Sequence, residues 1–390
     1  ATAGPAVATA ILGQVGQPMA IWRGRRWTRA FGWQEIQSLR FDCTGTAPID
    51  HRLAGLVDVP DLSLLPERLP GKPAVTVRAG TELRVQNLAL ALASRLVRFR
   101  MIRTLAPLAR WLLPVQALTR SWGSDRSAMT VRLSGDRKGE RVERRWTLIA
   151  DRGDGPEIPA LSIVPIVTRI LAGQEAPGAR DAGQCLTLAD YAGAFATLAI
   201  HQETTEEIAA PSLYRRVMGE NFSTLAPEVA AIHDVLRDGG ATGEAEVTGA
   251  SNRIGGLIAR IVGFPRAGRH PLHVHFQERD GKEEWTRDFG GRKFRSQLSQ
   301  HGAWLIERFG PMRFAFDLPA ADGGLTMAMQ RWWIGPIPLP GVLAPRSTAR
   351  EWAAAGRFHF DVSIELPLVG RLVHYRGWLK MSAGETAAKP

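Results

Sequence analysis

From about residue 272 onward, apolar residues recur at every second position, and that period limits the folds open to the chain more than any other feature. Phe358, Phe360, Val362, Ile364 and Leu366 alternate with Arg357, His359, Asp361, Ser363 and Glu365; Met312, Phe314, Phe316 and Leu318 alternate with Arg313, Ala315 and Asp317. Successive side chains of a strand point to opposite faces, so this pattern predicts antiparallel strands with one face on a core and one face wet. Asp280-Gly281, Gly290-Gly291 and Asp322-Gly323-Gly324 supply turn residues at hairpin spacing. About eight strands preceded by one helix, residues 252–262, predict a curved sheet packed on that helix. Phe314, Met327 and Met329 are expected to line an apolar cavity within it.

The first half mixes strand and helix signals. Residues 19–30, 35–41 and 57–59 read as strands, Asp61 as a cap after Pro60, and 82–118 as helical with breaks at Pro107 and Pro114. Residues 128–133 and 144–150 flank a polar tip and form a hairpin. Residues 158–171 read as a helix stopped by Gly173, and Thr187 caps another running to residue 200. The polar run 202–211, ending in Pro211, reads as a linker. The fold class is therefore α+β in two domains: 1–201 mixed α/β, 202–211 linker, 212–380 β-rich, and 381–390 a disordered tail.

Composition narrows the functional classes. With 45% hydrophobic and 22% charged residues the chain is globular. Its net charge of +11 raises nucleic acid or an anionic membrane as partners, but the arginines are spread along both halves rather than gathered in a stripe. No specific nucleic-acid partner is expected. Cys43 and Cys185 lie far apart, with no partner at metal-ligand spacing. They are expected to be reduced and packed as small hydrophobes, in a cytoplasmic setting. No apolar run is long enough to span a bilayer. The arginine-rich stretch 96–110 reads either as a core helix with a solvated side or as a peripheral membrane contact.

Several stretches of the first half resemble the C-terminal part of saccharopine-dehydrogenase-like oxidoreductases. They are Asp58-Val59-Pro60-Asp61, Gly123-Ser124-Asp125-Arg126, Arg145-Trp146-Thr147-Leu148-Ile149-Ala150, Gly153-Asp154-Gly155-Pro156 and Leu186-Thr187-Leu188 ahead of Tyr191. The second half resembles a prokaryotic domain of unknown function, number 4166, found fused behind such reductases. The carrying residues are Ser212-Leu213-Tyr214-Arg215-Arg216-Val217-Met218-Gly219, Trp285-Thr286-Arg287-Asp288-Phe289-Gly290-Gly291, Arg357-Phe358-His359-Phe360-Asp361 and Val373-His374-Tyr375-Arg376-Gly377-Trp378-Leu379, with Leu343-Ala344-Pro345-Arg346-Ser347 beside them. The first resemblance implies a hydride-transfer enzyme in which NAD(P) binds upstream and residues 1–201 form a truncated substrate side. The chain itself has no Gly-x-Gly-x-x-Gly after a strand to seat a pyrophosphate. No cofactor is expected to bind it alone.

Candidate site residues follow from chemistry, each with a plainer reading beside it. His273 and His275 project to one face of a strand and suit a shared metal ion, or form a solvent-facing row opposite Leu272, Val274 and Phe276. Asp154 faces a substrate cleft or bonds nearby backbone. Arg346, Glu351, Arg376 and Trp378 offer a carboxylate-binding fork and a flat apolar surface, or pair structurally with one another and with Asp361. Two functions result: the C-terminal portion of a reductase-like enzyme acting on a small molecule, or a non-catalytic module holding a hydrophobic or lipid-like ligand.

Overall fold

Strand pairing in the second half runs around a closed ring. The computed structural model describes residues 4–111, 122–138, 140–179, 183 and 185–382. The expected helical residues 112–118 and the tail residues 383–390 lie outside them, and Met381 still belongs to a strand. By contacts the chain divides into two units. One comprises Ala1–Met19, Arg29–Pro60 and Thr76–Ala209; the other comprises Ala20–Thr28, Asp61–Val75 and Ala210–Pro390.

The first unit mixes helices with two small antiparallel sheets. Gln37–Phe41, Ile49–Leu56 and Arg78–Ala79 form one, and Ser127–Arg137, Glu140–Ala150 and Ile200–Ile208 the other. The last strand corrects the linker expected at 202–211. Its Thr204 and Thr205 sit opposite Trp146 and Arg145 in the ladder, and β-branched residues suit a pleated surface even when its outer face is polar. Of the expected helical stretch 82–118, Arg84–Arg98 is an α-helix, Ala106–Leu108 a 3₁₀ turn at the expected break, and 109–111 are helical again. The Thr187 cap forms as expected, its hydroxyl and backbone N–H both donating to Asp190 at 2.8 and 2.6 Å. The helix that follows ends at Ala196, because residue 200 is already strand. Cys43 packs with Phe41, Ile49 and Ile149, and burial pushes its thiol pKa up.

The second unit is a ten-stranded up-and-down barrel. In chain order its strands are β1 (Asp238–Thr248), β2 (Gly268–Arg279), β3 (Lys282–Phe289), β4 (Arg292–His301), β5 (Trp304–Phe309), β6 (Met312–Asp317), β7 (Gly324–Ile334), β8 (Arg346–Ala354), β9 (Arg357–Leu366) and β10 (Gly370–Met381). Each pairs antiparallel with the next. The ring closes where β10 meets β1, from His374↔Thr248 to Met381↔Ala241. Closure corrects the expected curved sheet packed on a helix: the ten strands pair all the way around a ring.

Because the strands alternate in direction, their connections alternate between two ends. At one end lie α1 (Leu213–Met218) and α2 (Pro227–His233), tied to the turns between strands. Arg216 donates to the Gly281 carbonyl at 2.8 Å, and the Ala226 N–H to that of Gly323 at 2.8 Å. At the other end lies α3 (Arg253–Val262), the helix expected from the sequence. The Asn252 side chain accepts from Gly255 N–H at 2.8 Å to start it, and Gly263, at φ 90°, stops it.

The inner face of the barrel holds the phase predicted by the period of two. Phe358 and Phe360 are buried, and Val362, Ile364 and Leu366 pack against the same core. Trp332 faces in, stacked on Phe314, while Trp333 meets Arg313 on the other side. Outside, residues 20–28 lay a hairpin tip on the wall. Gly240 admits this approach, since a Cβ there would stand 2.0 Å from the Gly24 oxygen.

Candidate functional site

The barrel encloses an apolar cavity of about 130 Å³, lined among others by Ile258, Leu272, Met312, Phe316, Met327 and Phe360. Five polar side chains interrupt that lining: Arg287, Glu307, Ser347, Glu351 and Tyr375. They come from β3, β5, β8 and β10, and each occupies the inward phase of its strand. Glu307 takes the place of an apolar residue between Leu305 and Phe309, and Arg287 stands between Trp285 and Phe289. Burying such groups is costly unless they are paired.

The pairing is specific. Arg287 donates to Ser296 Oγ at 2.8 Å and to Glu307 Oε1 at 3.5 Å, with its guanidinium carbon 5.1 Å from the Trp285 ring centroid and 5.2 Å from that of Phe294. Glu351 Oε2 lies 2.6 Å from His233 Nε2, a contact between β8 and the end of α2. The His233 ring lies 4.0 Å from that of Tyr214 from α1, tilted by 34°. Trp285 Nε1–H donates to Glu283 at 2.9 Å. Burial pushes the carboxyl pKa of Glu307 and of Glu283 up, and that of the Tyr375 hydroxyl up to about 12. Arg287 has five N–H donors and its contacts to Ser296 and Glu307 engage only part of them, so this spot can receive an oxygen-bearing ligand group.

A mouth opens in the wall between β7 and β8. Those strands share only four register pairs, Leu325↔Glu351 to Ala328↔Thr348. Beyond Ala328 they diverge around a groove of about 660 Å³ lined by Met329, Trp332, Leu339, Ala344, Pro345 and Ser347, among others. Pro345 and Ser347 also line the inner cavity, so groove and cavity meet there.

The residues singled out from the sequence are scattered. Glu351 is in the cavity. Met327 and Phe314 line it as expected, whereas Met329 lines the groove, on the part of β7 beyond its last pair with β8. Arg346 is exposed at the groove. Arg376 is exposed on the outer wall, where it pairs with Glu246 at 2.9 Å rather than with Glu351 or Asp361. Trp378 is also outside, under the Arg357 guanidinium at 4.1 Å.

His273 and His275 point outward as the period requires, but the hairpin tip covers them. His273 Nε2 lies 2.8 Å from the Gly24 carbonyl, and His275 Nε2 lies 2.7 Å from Asp238, which also accepts from Gly24 N–H at 2.7 Å. Arg26 adds a 2.8 Å ion pair to Asp288. Among the described residues no group of three or more His, Cys, Asp or Glu is placed to hold a metal ion. Asp154, in the first unit, accepts from the Ala199 N–H at 2.7 Å. Sequence reasoning missed His233, Arg287, Glu307 and Tyr375. The usable signal was a charged residue standing in the apolar phase of a strand, which Glu307 and Arg287 both do.

Residues 225–379 match the family described as a domain of unknown function, DUF4166, which bears out the resemblance stated for the second half. No curated protein matches. Among solved structures the chain is similar to a protein of unknown function from the DUF3598 family of Nostoc punctiforme. That similarity has 12% identity, covers 66% of this chain and 67% of that chain, and has a TM-score of 0.26, too low to carry an argument. No helix among the described residues is long and apolar enough to cross a membrane.

Proposed function

We propose that the barrel binds a hydrophobic, lipid-like ligand that carries one oxygen-bearing end, and that it does so without catalysing a reaction. The observation that carries this reading is the continuity of an apolar interior, its buried Arg287–Glu307 pair and the groove at the β7–β8 seam. Ligand sites are typically apolar with a few placed polar groups. The inner space alone is of the size that holds a benzene-like group. A longer chain extends into the groove, and the unbranched Met312 and Met327 side chains adapt around it.

The test is displacement of an environment-sensitive hydrophobic fluorophore by long-chain fatty acids and alcohols. Ala349, buried on β8, lines the cavity. Ala349→Phe, with its fold checked by thermal melting, is expected to lower fluorophore affinity at least several-fold. Arg287→Met is expected to reduce the preference for ligands with an oxygen-bearing end. Unchanged affinity in a folded Ala349→Phe variant places the ligand elsewhere.

For residues 1–201 the reductase-like reading rests on the sequence stretches alone. The intact enzyme it implies would bind NAD(P) through a glycine turn that this chain lacks. Fluorescence titration of the chain with NADH and NADPH is expected to show no saturable binding. Micromolar binding of either nucleotide overturns that expectation.

A further inference from the structure

We infer that the α3 end of the barrel is a docking face for an anionic lipid bilayer, set around the mouth of the cavity. The distribution of exposed apolar side chains carries the inference. Among the described residues from 210 onward, the large hydrophobics that stay exposed are Ile254, Leu257, Ile261, Ile334, Ile337, Val342 and Leu368. Every one sits on α3, at the end of β7, in the β7–β8 connection or in the β9–β10 connection, all at the same end. The opposite end, closed by α1 and α2, has none among the described residues. Single exposed apolar residues are ordinary; a set gathered at one end of a barrel is not.

Helix α3 is apolar on two sides. Ile258 and Val262 line the cavity, while Ile254, Leu257 and Ile261 face outward, more than half exposed. The charge at this end selects the partner. From 249 to 267 the chain carries Arg253, Arg260 and Arg266 and no acidic residue; 310–311, 335–345 and 367–369 contain no charged residue at all. The opposite end carries acids in its turns, at Asp280 and Asp322. An apolar rim whose connections carry arginines and no acid matches an anionic leaflet: the side chains enter the acyl boundary and the guanidinium groups meet lipid phosphates. The groove beside β7 and β8 opens at this end, next to Ile337 and Val342. A docked barrel would therefore take its ligand from the bilayer without passing it through water. That last step rests on the ligand-binding reading above; the docking does not.

The experiment uses the full chain and sedimentation with vesicles of phosphatidylcholine, with and without phosphatidylglycerol. Binding to the anionic vesicles is expected, weakened by high salt, with much less binding to the neutral ones. Leu257→Asp combined with Ile254→Asp changes two exposed positions of α3 that line neither the cavity nor the groove, and should reduce vesicle affinity roughly tenfold. Arg253→Gln with Arg260→Gln and Arg266→Gln should remove the preference for anionic lipid. Fluorophore affinity in solution should be unchanged in both. Vesicle binding without fluorophore binding supports docking and removes the cavity reading. Absence of vesicle binding, equal binding to neutral vesicles, or an undiminished Leu257/Ile254 variant overturns the docking. A concentration-dependent dimer lost in that variant, with no vesicle binding, assigns the face to a second copy and also overturns it.

Discussion

At the scale of single residues, the outer wall of the barrel carries a pH-sensitive contact. Burial, with Arg26 nearby, pushes His273 down to about 4 while its Nε2 engages the Gly24 carbonyl. In the unfolded chain the ring titrates near its ordinary value of 6.5. Between those two values the unfolded state holds more protons, so the contribution of His273 is fully present above about pH 6.5 and is lost as the pH falls toward 4. The full difference corresponds to roughly 3 kcal/mol. Buried Glu283 and Glu307 act in the opposite sense, because their raised values favour the protonated folded form as pH falls. Urea unfolding of wild type and His273→Gln between pH 4 and 7 separates the two effects, since glutamine keeps a donor for Gly24 and does not titrate. Wild type is expected to lose more stability than the variant over that window; parallel curves show that His273 is not held neutral.

At the scale of elements, the facing of β9 sets how the barrel responds to substitution. Phe360 is buried against Tyr375 and Phe358, and His359 lies outside, stacked 5.6 Å from Trp352. Phe360→Ala should cost about 3–5 kcal/mol, and His359→Ala less than about 1 kcal/mol. The reverse order in denaturant melts would shift the strand by one residue and turn every inferred facing over. In α3, Gly256 is exposed, and a Cβ there meets nothing within 4 Å. Gly256→Ala should therefore raise stability by about 0.5–1 kcal/mol. The period of two made the facing of β6 and β9, and the turns at 280–281 and 290–291, readable from the residues alone. It could not give the register shift after Ala315, because which residue bulges is decided by pairing with the partner strand. Glu351 stood out as a lone carboxylate, but its partner His233 lies 118 residues away on another element. Arg287 and Glu307 looked like ordinary charges until the ring placed their strands on one interior.

At the scale of the whole molecule, closure and the make-up of the barrel unit were beyond sequence reading for one reason: both join segments remote in the chain. The pairing of β10 with β1 is a long-range contact, and residues 20–28 and 61–75 fall in the barrel unit although they precede its first strand by more than a hundred residues. Trp22 is buried, its indole N–H donating to the Lys72 carbonyl at 3.0 Å, and Arg26 pairs with Asp288 on β3. A fragment of residues 210–382 keeps the closed ring, α1 to α3 and its core of Leu213, Phe276, Leu305 and Val373, so it is expected to fold alone. It loses the cover over His273, Asp238 and Asp288, and with it three contacts of 2.7–2.8 Å from Gly24 and Arg26. Hydrogen bonds to charged groups contribute about 1.5–3 kcal/mol each when buried, less when water replaces the lost partner. The fragment should therefore be less stable than the barrel within the full chain by roughly 2–4 kcal/mol. Urea melts followed by the fluorescence of Trp285 and Trp332 against single-tryptophan controls measure the difference. Equal midpoints would mean that the hairpin tip only rests on the wall. A fragment that fails to fold would make residues 20–28 and 61–75 an obligatory part of the barrel, one that a boundary drawn at residue 210 cuts away.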